Sequence, residues 1–135
     1  MADTAPYVRV LEADVPAVST AGNDDDSVVG QAPFDCTVTS VVYIPESAIT
    51  GADTNSRTVS LVNKGQAGSG TTTVASLALT SGVNASANDD KAITLSGTAA
   101  NLVLAAGDTL QWRSIHVGTG IADPGGMIRI TVSRN

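Results

Sequence analysis

The chain has 135 residues, of which 42% are hydrophobic and 15% are charged, so it is long enough for one domain with its own core. Its seven basic residues are scattered along a chain of net charge −6, which excludes the positive patch that non-specific binding to nucleic acid requires. The N-terminus lacks the basic and apolar regions of a secretory signal, and no run approaches the ~18 apolar residues of a membrane span, which predicts a protein made in a cytoplasm.

Residues 1–32 differ in composition from the rest of the chain. Residues 7–11 predict a short strand, whereas Pro16 and the polar stretch 19–27, with its acidic run 24–26, predict a loop. We therefore predict an N-terminal arm or strand plus acidic loop over residues 1–32 and a sandwich domain over residues 33–135. The pattern leaves open whether the arm pairs with the body or extends to a partner.

The body begins with a run that alternates from residue 34 onward. One predicted face consists of Phe34, Cys36, Val38, Ser40, Val42 and Ile44. Pro45 ends this strand, and residues 45–49 predict one helical turn. Further strands are predicted over residues 57–62, 72–80, 93–95, 102–104, 109–117 and 127–132, separated by glycine-rich or polar loops.

About eight strands at such short intervals predict an all-β fold, a single-domain antiparallel β-sandwich with an N-terminal arm. Small and β-branched side chains dominate, and aromatic residues make up 3% of the chain, which suits thin sheets packed face to face. Alternation alone does not fix the strand order, because a jelly roll and an immunoglobulin-like sandwich have the same pattern.

Reactive side chains are few in this sequence. Cys36 alternates with apolar neighbours and is interpreted as a small buried hydrophobe. His116 and Ser114 lie two residues apart on one predicted strand, too far apart for a Ser–His catalytic pair. The segment 118–120 lacks the third glycine and the helix of a dinucleotide-binding loop. We therefore predict that the protein is not an enzyme and holds no cofactor.

Two acidic turns are candidates for a calcium site. Residues 24–26 and 88–90 offer carboxylate and amide oxygens, the ligands that Ca²⁺ prefers, but neither has EF-hand spacing. The favoured interpretation is that both are solvated turns, since Asp and Asn are common there. The calcium alternative stays open.

Two stretches carry a resemblance to known proteins: PFDCTVTSVVYIPESAITGADTNSRTVSLVNKG, residues 33–65, and GDTLQWRSIHVGTGIADPGGMIRITV, residues 107–132. Together with the threonine-rich strand between them, they resemble small head proteins of tailed phages that infect actinobacteria. The resemblance covers about residues 30–135, and its motifs are structural. It implies a jelly-roll sandwich that binds the outer surface of a mature icosahedral shell as a homotrimer and reinforces contacts between subunits of the major capsid protein. It implies no cofactor and no enzymatic activity, and a place on the capsid exterior of the virion. From the charge and the apolar runs we also predict no nucleic-acid partner and no membrane.

Within that interpretation we predict two sets of contact residues. The N-terminal arm is predicted to contact the capsid through Tyr7, Val8, Arg9, Val10 and Leu11. Two long loops, around residues 49–57 and 118–127, are predicted to form the trimer contacts, through Ile49, Arg57, Ile121, Pro124 and Met127.

An alternative function is a host-adhesion or carbohydrate-binding sandwich of a phage fibre. It requires exposed aromatic side chains, and Trp112 with Tyr43 or Tyr7 could form such a platform. Trp112 shares a predicted strand face with Leu110, which favours a place in the core instead.

Overall fold

A computed structural model describes residues 7–135 and confirms the predicted all-β sandwich. Over these residues the chain forms ten strands and one short 3₁₀ helix, Ala99–Leu102. The strands are β1 (Val8–Val15), β2 (Asp25–Gln31), β3 (Cys36–Pro45), β4 (Ser56–Gly65), β5 (Thr72–Ala78), β6 (Lys91–Ala92), β7 (Thr94–Leu95), β8 (Val103–Leu104), β9 (Thr109–Val117) and β10 (Gly126–Arg134).

The strands form two antiparallel sheets. The first sheet has the order β1-β10-β3, and both β6 and β8 pair with the remaining edge of β3. The second sheet has the order β2-β9-β4-β5-β7. The pairing is nested along the chain: β1 pairs with β10, β2 with β9, β3 with β8 and β4 with β5. The chain therefore resembles one long antiparallel hairpin whose strands are divided between two packed sheets. This is the strand order of a jelly roll, which settles the order that alternation left open.

The N-terminal segment contributes a strand to each sheet. β1 pairs with β10 along its whole length, from Val8 opposite Ser133 to Val15 opposite Gly126, so residues 8–15 pair with the body. β2 pairs with β9, and Asp25 begins that strand, although the acidic run was predicted to lie in a loop. Strands from both sides of the boundary predicted at residue 33 therefore lie in the same two sheets.

A β-bulge in β3 reverses part of the predicted face pattern. Ser40 lies opposite Thr131 and Val38 opposite Val132, so Thr39 is an extra residue in the pairing with β10. Before this bulge Cys36 and Val38 face the core as predicted, but beyond it Val41 and Tyr43 do so. The assignment of Val42 and Ile44 to the face of Cys36 was wrong, because one extra residue moves every later side chain to the opposite face.

The helical turn predicted over residues 45–49 is also wrong. The main-chain N–H of Glu46 donates to the carbonyl of Gly125, and that of Ile49 donates to Ala85. These donors therefore bond to distant segments, and the Ile49 side chain lies in the core. Pro45, which ends β3, is compatible with either conformation.

The core between the sheets contains small and β-branched side chains around one aromatic pair. Trp112 is buried, as predicted, and its ring lies 5.5 Å from that of Tyr43. Cys36 is also buried, and burial is the main cause that raises the pKa of its thiol. Both residues therefore serve as packing groups, and Trp112 is not available as an exposed sugar platform.

Candidate functional site

A buried polar cluster closes one end of the sandwich. We call Arg57, Ser114, Asp123 and Tyr43 the Arg57 cluster. Arg57 lies near the start of β4 with its side chain directed between the sheets, where it is 0% exposed. Its Nε donates to the carbonyl of Ile121 (2.7 Å), and its Nη2 donates to the carbonyls of Ala21 (3.0 Å) and Asn23 (3.1 Å). One guanidinium group thus bonds to two separate loops.

Asp123 supplies the negative charge of the cluster. The hydroxyl of Ser114 donates to Asp123 Oδ2 (2.6 Å) and accepts from Arg57 Nη1 (3.2 Å), so it links the two charged groups. The Tyr43 hydroxyl and the Gly125 N–H both donate to Asp123 Oδ1 (2.5 and 3.1 Å). Burial and the neighbouring Asp123 carboxylate raise the pKa of Tyr43, which therefore remains a donor. Buried charges require such compensation.

The cluster holds loops in place and leaves no cleft. Val18 and Asp123 also bond through their main chains in both directions, which fastens the segment after β1 to the loop before β10. Residues 7–135 enclose no pocket, and they contain no group of three metal-ligating side chains. No helix among them is long and apolar enough to span a membrane. The polar groups of the Arg57 cluster form their hydrogen bonds with other groups of the same chain.

His116 and Asp24 form a second polar contact at the same end. The main-chain N–H of His116 donates to Asp24 Oδ1 (2.8 Å), and the ring Nδ1 lies 2.6 Å from the same oxygen. The main-chain hydrogen bond is the largest cause that lowers the pKa of Asp24, followed by the bond from the ring. Ser114 bonds to different groups, so His116 and Ser114 have separate partners, as their spacing predicted.

The contact of Asp24 with His116 gives a pH-dependent prediction. The folded chain holds the pKa of Asp24 below its ordinary 3.8, so the ionised carboxylate stabilises the folded state. That contribution is fully present above pH 3.8 and is lost as the pH falls through the lowered pKa. We expect Asp24→Asn to be less stable than the wild type near neutral pH, with a difference that shrinks in acid. Urea unfolding from about pH 2 to about pH 6 measures this, and a pH-independent difference would contradict it.

The acidic turns considered as calcium ligands face separate partners. Asp24 bonds to His116, Asp25 accepts from the Ser27 hydroxyl (2.6 Å), and Asp26 pairs with Arg113 (3.0 Å). In the second turn, Asp90 pairs with Arg129 (2.8 Å). Asp89 instead accepts from the main-chain N–H of Asp90 (2.9 Å), so the carboxylates of each run bond to different groups.

The predicted trimer residues are not equally available on the surface. Ile49 and Arg57 are buried within the single chain, so neither offers surface to another subunit. Arg57 lies in β4, in agreement with the strand predicted from residue 57, but its side chain is inside the sandwich and does not extend the contact loop. Ile121, Pro124 and Met127 are half-buried at or near the start of β10. Ile121 also packs against the core, and its carbonyl accepts from Arg57.

The predicted capsid residues lie together along β1. The exposed fractions are 46% for Tyr7, 56% for Val8 and 45% for Val10, while Arg9 is exposed and Leu11 packs against the core. The Tyr7 ring meets Phe34 edge-on at 5.4 Å, and the Arg134 guanidinium lies 5.1 Å from the Tyr7 ring centroid. These contacts hold the start of β1 against the end of β10 and leave its outer face open.

Comparison with known proteins identifies no family for this chain. No family model matches the chain, and no curated protein matches it. A solved structure of the infectious bursal disease virus Gx strain is similar at 9% sequence identity with a TM-score of 0.42. The match covers 96% of this chain and 32% of that chain, so this chain spans about a third of its length.

Proposed function

We propose that this protein is a structural component of a phage virion that decorates the outer surface of the icosahedral shell. The observation that carries the proposal is the exposed apolar surface at the start of β1. Val8 and Val10 share the outward face of this strand, Tyr7 directly precedes it, and among the described residues β1 pairs on one side only. Neighbouring exposed apolar side chains support an interaction surface more than single exposed ones do. The resemblance of residues 33–65 and 107–132 to small phage head proteins supports the same function.

The proposed partner is the major capsid protein, and the proposed assembly is a homotrimer. Three identical chains on a three-fold position can each present β1 to the shell, and several weak contacts then act together. The subunit contacts proposed for the trimer are Ile121, Pro124 and Met127, because Ile49 and Arg57 are buried. A jelly roll with all cluster groups satisfied internally provides a stable platform for such a surface.

The proposal is tested by binding to undecorated shells of the phage that carries this gene. Wild-type protein is expected to sediment with the particles, and the variant Tyr7→Ala/Val8→Ser/Val10→Ser to lose about tenfold or more in affinity. Val28→Ser is the matched control, since Val28 is 70% exposed but lies on β2. Equal binding by the triple variant would remove β1 from the contact, and failure of the wild type to bind would refute the decoration function.

A further inference from the structure

The four sheet edges of the described chain differ in how well they are protected against pairing with another strand. β6, β7 and β8 contain two residues each, and β2 carries a register shift between Val28 and Gly30. Short strands and bulges are features by which proteins block edge-to-edge pairing. β1 has eight residues, an unbroken register with β10, and no Pro or Gly. β1 is therefore the edge best suited to accept another strand.

The main chain of β1 also presents free hydrogen-bonding groups in a regular order. The N–H of Arg134 donates to the carbonyl of Tyr7 (2.8 Å), and Val8 lies opposite Ser133. Opposed residues in an antiparallel pair alternate between bonded and non-bonded pairs, so the odd-numbered residues of β1 bond to β10. Even-numbered residues direct their N–H and C=O groups to the outer edge, where no strand of the described chain pairs: Val8, Val10, Glu12 and Asp14.

The side chains of these even-numbered residues define what the edge can bind. Val8 and Val10 are exposed apolar groups at one end, and Glu12 and Asp14 are exposed carboxylates at the other. Antiparallel pairing with β1 of a second copy would set Glu12 and Asp14 opposite valines, so these carboxylates would gain no basic partner. An extended antiparallel segment in which Lys or Arg precedes the apolar residues matches both halves of the edge.

We propose that the outer edge of β1 binds an extended segment of another protein as an added antiparallel strand. The segment places apolar side chains beside Val8 and Val10 and basic side chains beside Glu12 and Asp14, while main-chain hydrogen bonds supply most of the affinity. The inference rests on the function proposed above, in which the segment belongs to the shell protein. It differs from a contact by a disordered arm, because β1 is already a strand before binding.

The first experiment measures amide hydrogen exchange with and without an end-blocked peptide, Lys-Thr-Lys-Thr-Val-Thr-Val-Thr. We expect the amides of Arg9 and Leu11 to be protected in the free protein, and those of Val8, Val10 and Glu12 to become protected on adding the peptide. The control peptide carries Glu in place of Lys and should bind at least about tenfold more weakly. No added protection would overturn the inference. Protection that rises with protein concentration alone would assign the edge to a second copy and overturn it as well.

The second experiment compares Val10→Pro with Val10→Thr on undecorated shells. Proline removes the outward N–H of residue 10 but no bond to β10, so the fold should persist, as proline is tolerated at edges. We expect about tenfold weaker binding for Val10→Pro and near wild-type binding for Val10→Thr. Glu12→Lys/Asp14→Lys changes only exposed side chains and should also weaken binding, which covers the case that the proline variant misfolds.

The outcomes on shells separate this inference from the proposed function. Binding by the wild type and by all variants would overturn strand addition but leave decoration intact. No binding by the wild type, together with peptide-induced protection of the even-numbered amides, would refute decoration of that shell while supporting the edge as a strand-binding site.

Discussion

Replacing Arg57 with Met is expected to lower the free energy of unfolding by about 3–5 kcal/mol. Met keeps much of the apolar stem but removes every hydrogen bond of the guanidinium group. The carbonyls of Ala21, Asn23 and Ile121 then lose their donor, and Asp123 remains as a buried negative charge without a counter-charge. Unsatisfied buried groups of this kind cost far more than the net gain from making the bonds.

Urea unfolding followed by Trp112 fluorescence is the appropriate measurement, because this single Trp lies in the core beside Tyr43. Arg57→Lys is the matched comparison. Lys retains the positive charge, but its single ammonium group cannot donate at once to both loops and to Ser114, as the planar guanidinium group does. We expect Lys to recover only part of the loss. A stability within about 1 kcal/mol of wild type for Arg57→Met would show that the cluster contributes little to the fold.

Arg57 also illustrates which part of the candidate site the sequence could not predict. The residue stands between Ser56 and Thr58 at the start of a strand, a position typical of an exposed charge. Its acceptors lie 34 to 64 residues away along the chain, and its link to Asp123 passes through Ser114. Nothing local marks these residues as neighbours, because the jelly-roll order alone brings them together. Asp123 stands directly before Pro124, so from the sequence it was indistinguishable from an ordinary turn residue.

Strands buried on one face were predictable where their alternation was unbroken. In β9, Leu110 and Trp112 share the inner face as predicted, and in β10 the alternating residues Ile128, Ile130 and Val132 are buried in the same way. The pattern failed where the backbone departs from a period of two, as at the Thr39 bulge in β3. A bulge has no reliable signature in a single sequence, so the faces beyond it could not be assigned.

Edge strands were the other source of error, and they matter for function. β2 begins with the acidic residues Asp25 and Asp26, which by composition predict a loop. An edge strand carries fewer buried side chains than a central one, so such polar residues are compatible with it. For residues 7–11 the sequence did predict a strand, but only the fold shows that no other strand of residues 7–135 pairs with its outer edge. The proposed binding surface thus combines a local pattern with a position set by long-range pairing.

Replacing Gly120 with Ala is the second change for which we expect a large effect, about 2–5 kcal/mol of lost stability. Gly120 has a φ of +78°, and a Cβ there would lie 1.9 Å from the carbonyl oxygen of Ala21, a main-chain atom that cannot move freely. This segment resembled half a dinucleotide-binding loop, but its glycine instead allows two loops to approach closely. The same carbonyl accepts a hydrogen bond from Arg57.

Gly107→Ala separates the two effects of the Gly120 substitution, which are the backbone strain at a positive φ and the steric clash of the added Cβ. Gly107 has a similar φ of +86°, but a Cβ there meets no atom within 4 Å, so only the backbone strain of about 1–2 kcal/mol applies. Equal losses in the free energy of unfolding for the two variants would show that the close approach of Gly120 to the Ala21 carbonyl has no effect on stability. Because the added methyl group displaces an acceptor of Arg57, Gly120→Ala and Arg57→Met should also be non-additive. A double variant less destabilised than the sum of the single changes would show that Gly120 and Arg57 hold the same pair of loops together.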